Sequence, residues 1–391
     1  MSTHSGPSWI VSEITQQGGV ISGERFMELA LYHPIFGYYH RSSTPIGRDG
    51  DYVTAPVMTT LFGELLCLQF IEVWEMMGEP KRFTLIEAGP GTGHLAADIL
   101  KTAQKFPRFD QALEYRLVET SPVLRTMQKE RLAPDTGRCA WYNTLAQAGG
   151  AGIEGVIFGN EFLDALPVCW LEMTPAGLRE VGVQVTAAGD LETKTLPLNH
   201  RLDPLYFERM GLNLPVGMRT EVGLQARDWM QCAGEILRRG LVLMIDYGYT
   251  AQEYYTAARH RGTLVGHRQH CLIDDPLSYP GEMDLTAHVD FTAMAQGGVA
   301  GGLEPCGYTT QGWFFMGLGL LERLEALTRA RGSAGLGTQI RQTALRLILP
   351  EEMGERFKVL SMTAGLPGCP LSGYRLRNQW EALATTPKRH G

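Results

Sequence analysis

Three glycines at alternate positions, Gly89, Gly91 and Gly93, follow an unbroken apolar run and stand directly before a helix-forming stretch. Residues 83–88 read as a strand and 94–104 as a helix, with the glycines as a tight turn between them. Glycine alone enters left-handed backbone regions freely and lets the main chain approach a ligand closely. A strand–glycine loop–helix unit rarely stands alone, and this one is repeated in outline. Strands are predicted at 115–119, 138–142, 155–160 and 241–246, with helices at 121–131 and about 221–238. Strands alternating with helices imply a mostly parallel sheet covered on both faces.

The rhythm is interrupted twice. Residues 168–220 read as short strands with Gly/Asp turns, and 250–290 as loop-rich. The first eighty residues look mainly helical, with Ser22 as an N-cap and Pro56 at a helix start ahead of the amphipathic run 61–77. Two further strands are predicted near 303–309 and 356–363. The expected division is therefore a helical N-terminal segment, 1–80, covering the ligand site, and a catalytic domain, 81–391, with two insertions.

Composition sets limits on partners. With 44% hydrophobic and 20% charged residues the chain is globular. Its net charge of -7 and the lack of any Lys/Arg-rich run argue against nucleic acid as partner. The seven cysteines form no C-x-x-C pair, which predicts reduced thiols and no structural zinc. The N-terminus shows no secretory signal and lacks the arginines of a mitochondrial presequence, and the most apolar stretch, 313–321, is too short to span a bilayer. These features lead to the expectation of a cytoplasmic protein without membrane insertion.

The glycine spacing selects the ligand. A dinucleotide fingerprint is G-x-G-x-x-G/A, but His94 occupies its third small position, which weighs against NAD or FAD. G-x-G-x-G instead resembles motif I of class I methyltransferases, whose donor, S-adenosylmethionine, carries no phosphate. Glu119, 26 residues after Gly93 at the end of the second strand, is placed to accept both ribose hydroxyls, or else caps the helix that follows. Glu87 orients the loop or meets the donor's ammonium group.

Asn160, Glu161 and Asp164 leave the C-terminal end of the fourth strand, where ligands of open α/β sheets bind. Two carboxylates there can clamp a guanidinium bidentately, an acceptor that stays protonated to about pH 12 and above. The same residues also suit a plain capped turn. Asp246 ends the fifth strand as an orienter, an acceptor base or a turn aspartate. His288 lines the pocket or packs, and the His267/His270 pair has no completing ligands, so no metal is expected. No G-x-S-x-G or G-K-[ST] loop is present.

Longer stretches resemble one family specifically, the MidA-type class I methyltransferases. They are 31–39 (LYHPIFGYY), 50–56 (GDYVTAP), 62–64, 89–93, 117–122, 160–167, 246–248 and 284–291. The resemblance implies a seven-stranded, mostly parallel Rossmann-like sheet with S-adenosylmethionine as donor. It implies that 50–56 folds over the donor, bringing Thr54 and Pro56 to it. For a mitochondrial relative, an arginine of a complex I core subunit is the acceptor. A homodimer is left open. The chain departs from the family at Val57, usually Glu, and at Thr92, often Arg. The first departure bears on acceptor choice and turnover, and keeps two alternatives in view: a small-molecule methyltransferase, or an assembly chaperone that binds the donor without turnover.

Overall fold

The computed structural model describes residues 4–41, 55–331, 341–366, 368 and 370–384. The chain opens with β1 (His4–Ser5), α1 (Ser8–Gln16), β2 (Val20–Ser22) and α2 (Gly23–Tyr32). Ser22 caps α2 as its position predicts, its Oγ accepting the Arg25 amide at 3.1 Å. The helix expected from Pro56 comes in two pieces, α3 (Ala55–Met58) and α4 (Thr60–Met76), because Thr59 is extended and caps α4 through the Leu61 amide.

The alternating region then runs β3 (Phe83–Ala88), α5 (His94–Ala103), α6 (Pro107–Ala112), β4 (Leu113–Val118), α7 (Pro122–Arg131), β5 (Cys139–Tyr142), α8 (Leu145–Gly149) and β6 (Ile153–Asn160). After an insertion holding β7 (Cys169–Thr174), β8 (Gly177–Val185), β9 (Asp190–Leu196), α9 (Tyr206–Arg209) and β10 (Arg219–Val222), it resumes with α10 (Leu224–Ile236) and β11 (Leu237–Tyr249). Next come α11 (Ala251–Tyr254), β12 (Val265–Arg268), β13 (Cys271–Ile273), β14 (Asp284–Thr286) and β15 (Val289–Asp290). The chain closes through α12 (Phe291–Ala300), β16 (Glu304–Thr310), α13 (Gln311–Gly317), α14 (Leu320–Arg331) and β17 (Phe357–Ala364).

Among the described residues the main sheet has the order β16-β17-β11-β6-β3-β4-β5, with short β15 added beside the end of β11. Its strands are parallel except β17, which runs antiparallel to both neighbours. This is the expected class I methyltransferase sheet. Side chains alternate between its two faces as strand geometry requires. Val156, Phe158, Leu241 and Leu243 pack under α4 and α5, while Ile157, Val242 and Met244 pack under α10 and α12. Full burial of each such side chain is worth about 1.5–3 kcal/mol. The ring centroids of Phe70 on α4 and Phe158 on β6 lie 4.9 Å apart, tying helix to sheet.

The N-terminal segment is not one layer. β1 and β2 join β7–β10 in a six-stranded antiparallel sheet, and Ile10, Ile14 and Phe26 from α1 and α2 bury against Trp170, Val183 and Leu191 of it. The second insertion, read from sequence as loop, forms a three-stranded sheet, β13-β12-β14. Its strands of three or four residues are too short to show a period.

Cys306 is disulfide-bonded, correcting the expectation of reduced thiols throughout; Cys67, Cys139, Cys169, Cys232 and Cys271 are free. Among the described residues, no helix is long and apolar enough to cross a membrane.

Candidate active site

All three loop glycines are left-handed, with φ of 62° at Gly89, 51° at Gly91 and 79° at Gly93. A Cβ on Gly89 would lie 2.9 Å from the ring of Phe162, so the loop also lacks room for a side chain there. Glu87, the penultimate residue of β3, is buried and accepts the Tyr115 hydroxyl at 2.6 Å. Burial raises its pKa to about 7.

Parallel pairing of Ala88 with Val118 sets Glu119 beside the loop. One Glu119 oxygen accepts the Ser121 amide at 2.8 Å and the other accepts Gln128 Nε2 at 3.2 Å, while the helix is capped by Ser121, whose Oγ accepts the Leu124 amide. The pKa of Glu119 is raised by burial. Gln128 was not singled out from sequence. Fully buried on α7, it also donates to the Gly91 carbonyl at 2.7 Å and accepts the Trp141 indole N–H at 3.0 Å. It thereby ties the glycine loop to Glu119. A glutamine in an otherwise polar helix carries no signal of this.

Pro56, Val57, Glu87, Gly89, Gly91, Thr92, His94, Asn160 and Glu161 line one cleft. Both positions that depart from the family pattern, Val57 and Thr92, are therefore on its wall. Thr54 lies outside the described residues. Asn160 Nδ2 donates to Glu161 at 3.1 Å, while its Oδ1 is buried without a hydrogen-bond partner among the described residues. Such an orphan acceptor fits a site completed by a ligand's donor.

Glu161 has a left-handed backbone (φ 51°), a conformation costing a non-glycine residue about 1–2 kcal/mol. Asp246 holds it there. Ile245 accepts the Glu161 amide, and one oxygen of the fully buried Asp246 accepts the next three amides, Phe162, Leu163 and Asp164, at 3.1, 2.9 and 3.2 Å. Its other oxygen accepts Tyr247 N at 2.9 Å. Four amide donors occupy this carboxylate, and it is not among the residues that line the cleft. Of the three readings open in the sequence, orienter is the one this geometry fits.

Asp164 is buried and accepts the Tyr247 hydroxyl. The turn is further fixed by Tyr32, whose hydroxyl donates to the Ala165 carbonyl at 2.9 Å, and by Ala287, whose amide donates to the Asp164 carbonyl. Burial, reinforced by Asp164, raises Glu161 to about 8; burial raises Asp164 to about 6. Glu87 and Glu161 line the cleft, whereas Asp164, like Asp246, is not among its lining residues; among the described residues no Lys or Arg bridges to Glu87, Glu161 or Asp164. His288 packs its ring against Tyr247 and Tyr249, at 5.3 Å each, and burial lowers its pKa to about 4. No group of metal-ligating side chains occurs among the described residues.

A parallel sheet with this strand order, a left-handed glycine loop after β3 and an acid after β4 defines an α/β enzyme of the nucleoside-binding methyltransferase class. The family described as "Putative S-adenosyl-L-methionine-dependent methyltransferase" matches residues 65–309, and the chain belongs to it. A Drosophila melanogaster protein named "Protein arginine methyltransferase NDUFAF7 homolog, mitochondrial" is 31% identical, over 91% of this chain and 84% of its own. The Homo sapiens protein named "Protein arginine methyltransferase NDUFAF7, mitochondrial" is 30% identical, over 91% and 82%. A Burkholderia thailandensis protein solved with S-adenosyl-homocysteine bound superposes with a TM-score of 0.85 at 32% identity, covering 95% of each chain. The chain is thus an S-adenosylmethionine-dependent methyltransferase. The expectation of a cytoplasmic protein is corrected by the same relatives, which are named as mitochondrial.

Proposed function

We propose that this enzyme methylates an arginine of a protein, and that the protein is a subunit of respiratory complex I. The observation that carries the reading is the pair Glu161 and Asp164: a half-buried carboxylate on the cleft wall and a buried one behind it in the same turn, unpaired by any described cation, after the end of β6. A guanidinium is the planar cation that two such groups hold best. The relatives named as protein arginine methyltransferases support the same acceptor class. The complex I subunit follows from the family resemblance of the sequence.

When bound, the donor offers a sulfonium methyl group whose bonding pair stays on sulfur as the methyl leaves. The chain's own residues do the rest. The glycine loop lets the donor's amino-acid end approach the backbone, and Glu87 faces its ammonium group. Glu119, oriented by Gln128, accepts the ribose hydroxyls, Asn160 Oδ1 accepts a further donor hydrogen, and Pro56 covers the site. Glu161 and Asp164 grip the guanidinium and draw its charge away from the attacking nitrogen. Their pKa values, raised by burial in the free enzyme, fall when the guanidinium docks, so both are ionised in the complex and one of them takes the proton that the nitrogen loses. Asp246 positions the turn.

The test is transfer of labelled methyl into extract from cells lacking the protein, with Gly91→Val alongside. A labelled protein band, absent with the variant and mapped to arginine by mass spectrometry, is expected. Label confined to small molecules, or on another residue type, overturns the reading.

A further inference from the structure

Beside the acidic turn lies its electrostatic opposite. Arg259, Arg356 and Lys358 gather around Tyr249 and His288 at the C-terminal end of β11 and the start of β17. The Arg259 guanidinium stands 3.7 Å from the Tyr249 ring centroid, and the Lys358 ammonium 5.7 Å from it. Tyr249 packs on His288, His288 on Tyr247, and Tyr247 donates its hydroxyl to Asp164. Two ring contacts and one hydrogen bond therefore separate the basic cluster from the proposed arginine clamp. All three cations oppose protonation of His288, which places them in one field.

Among the described residues these cations lack the carboxylate ion pairs that arginines elsewhere in the chain have. Arg82, Arg108, Arg138, Arg201 and Arg323 each form a carboxylate ion pair. In the cluster, Arg259 donates to the Glu253 carbonyl and to Thr256, and Lys358 to the carbonyls of Glu355 and Arg356. Glu253 and Glu355 are near enough to act on Lys358 electrostatically, as is Arg377, yet no ion pair joins them to it among the described residues. Arg356 is exposed. In a chain of net charge -7, three cations gathered with no ion pair among the described residues, and with Glu253 and Glu355 acting on Lys358 only at longer range, oppose one another, and an anionic partner relieves that repulsion.

We propose that Arg259, Arg356 and Lys358 form a docking surface for an acidic segment of the methyl-accepting protein, adjacent to its arginine. The inference rests on the arginine reading above and adds a substrate rule to it. The acceptor presents a cation to Glu161 and Asp164 and, next to it, carboxylates to the cluster. Charges of this kind at a rim govern encounter and register more than the chemical step.

Two synthetic peptides test this, each with one central arginine: one flanked by glutamates, the other by glutamines. Binding is followed by fluorescence anisotropy at low and high salt, and methyl transfer by label incorporation. The glutamate peptide should bind about tenfold more tightly at low salt, and high salt should erase the difference. Arg356→Glu with Lys358→Glu should remove the preference while S-adenosylmethionine affinity by calorimetry stays unchanged; Arg356→Ala with Lys358→Ala should give an intermediate loss. Equal affinity and equal kcat/KM for the two peptides would overturn the docking surface and leave the arginine reading intact. Preference for the glutamate peptide without methylation of either would do the reverse. Competition for the cluster by a single-stranded oligonucleotide but not by the glutamate peptide would also overturn the proposal.

Discussion

The proposed donor side and the proposed acceptor side of the cleft are built in different ways. The donor side is local: strand, three glycines and helix occupy residues 83–103, and the acid of the next strand is set beside them by parallel pairing. The acceptor side is assembled from distant parts. The turn 161–165 is gripped by Asp246 from β11, bonded at Ala165 by Tyr32 from α2 and at Asp164 by Ala287 beyond β14. The donor side should therefore fail when its backbone is disturbed, and the acceptor side when a remote side chain is lost.

Gly91→Val should give the largest effect. A β-branched residue at φ 51° carries strain of about 1–3 kcal/mol, and its side chain occupies donor space. S-adenosylmethionine affinity should fall roughly 100-fold in titration calorimetry, with the circular dichroism spectrum retained; undiminished affinity would remove the loop from the donor site. Asp164→Ala should lower kcat/KM for the acceptor roughly thirtyfold while donor affinity stays within about twofold. It also leaves the Tyr247 hydroxyl unpaired, costing about 1–3 kcal/mol of stability in urea unfolding. Equal loss of donor binding in this variant would dissolve the distinction between the two sides.

Gln128→Leu sharpens the comparison, because it removes a contact made to the loop from 37 residues away. Loss of its hydrogen bonds to Gly91 and Glu119 should weaken donor binding about tenfold with little change in acceptor KM. An unchanged donor affinity would show that the loop and Glu119 are set by local structure alone.

A separate effect is expected on stability against pH. Glu161, Glu87 and Asp164 have folded pKa values of about 8, 7 and 6, above ordinary carboxylates. A carboxyl group whose pKa is raised by folding binds its proton more tightly in the native state. Native stability therefore falls as pH rises from about 4.5 through 8. The melting temperature of the donor-free enzyme should decline across that window, and saturating S-adenosylmethionine, a cation, should flatten the decline. A rising melting temperature would mean these carboxylates are already compensated.

What could be read from sequence follows the same division. The sheet, the glycine loop and Glu119 were legible because strand and helix periods and turn chemistry are local. The short strands of the first insertion were legible too, but the joining of β1 and β2 to them, the contacts of Gln128 and the hydrogen bond of Tyr247 to Asp164 were not, since each depends on a partner farther along the chain. The N-terminal segment looked helical because β1 and β2 are only two and three residues long, and they become strands by pairing with β9 and β8.

The sequence by itself determined the class of fold, the donor and the position of the acidic turn, because the residues responsible lie within one strand–loop–helix unit or at strand ends. Only the tertiary structure decided what each acid faces. Asp246 is turned to amides, Glu161 to the cleft, and Asp164 to a tyrosine from a neighbouring strand. A carboxylate's task is set by the donors and the solvent around it, and in this chain those neighbours come together only when β6, β11 and the two insertions pack.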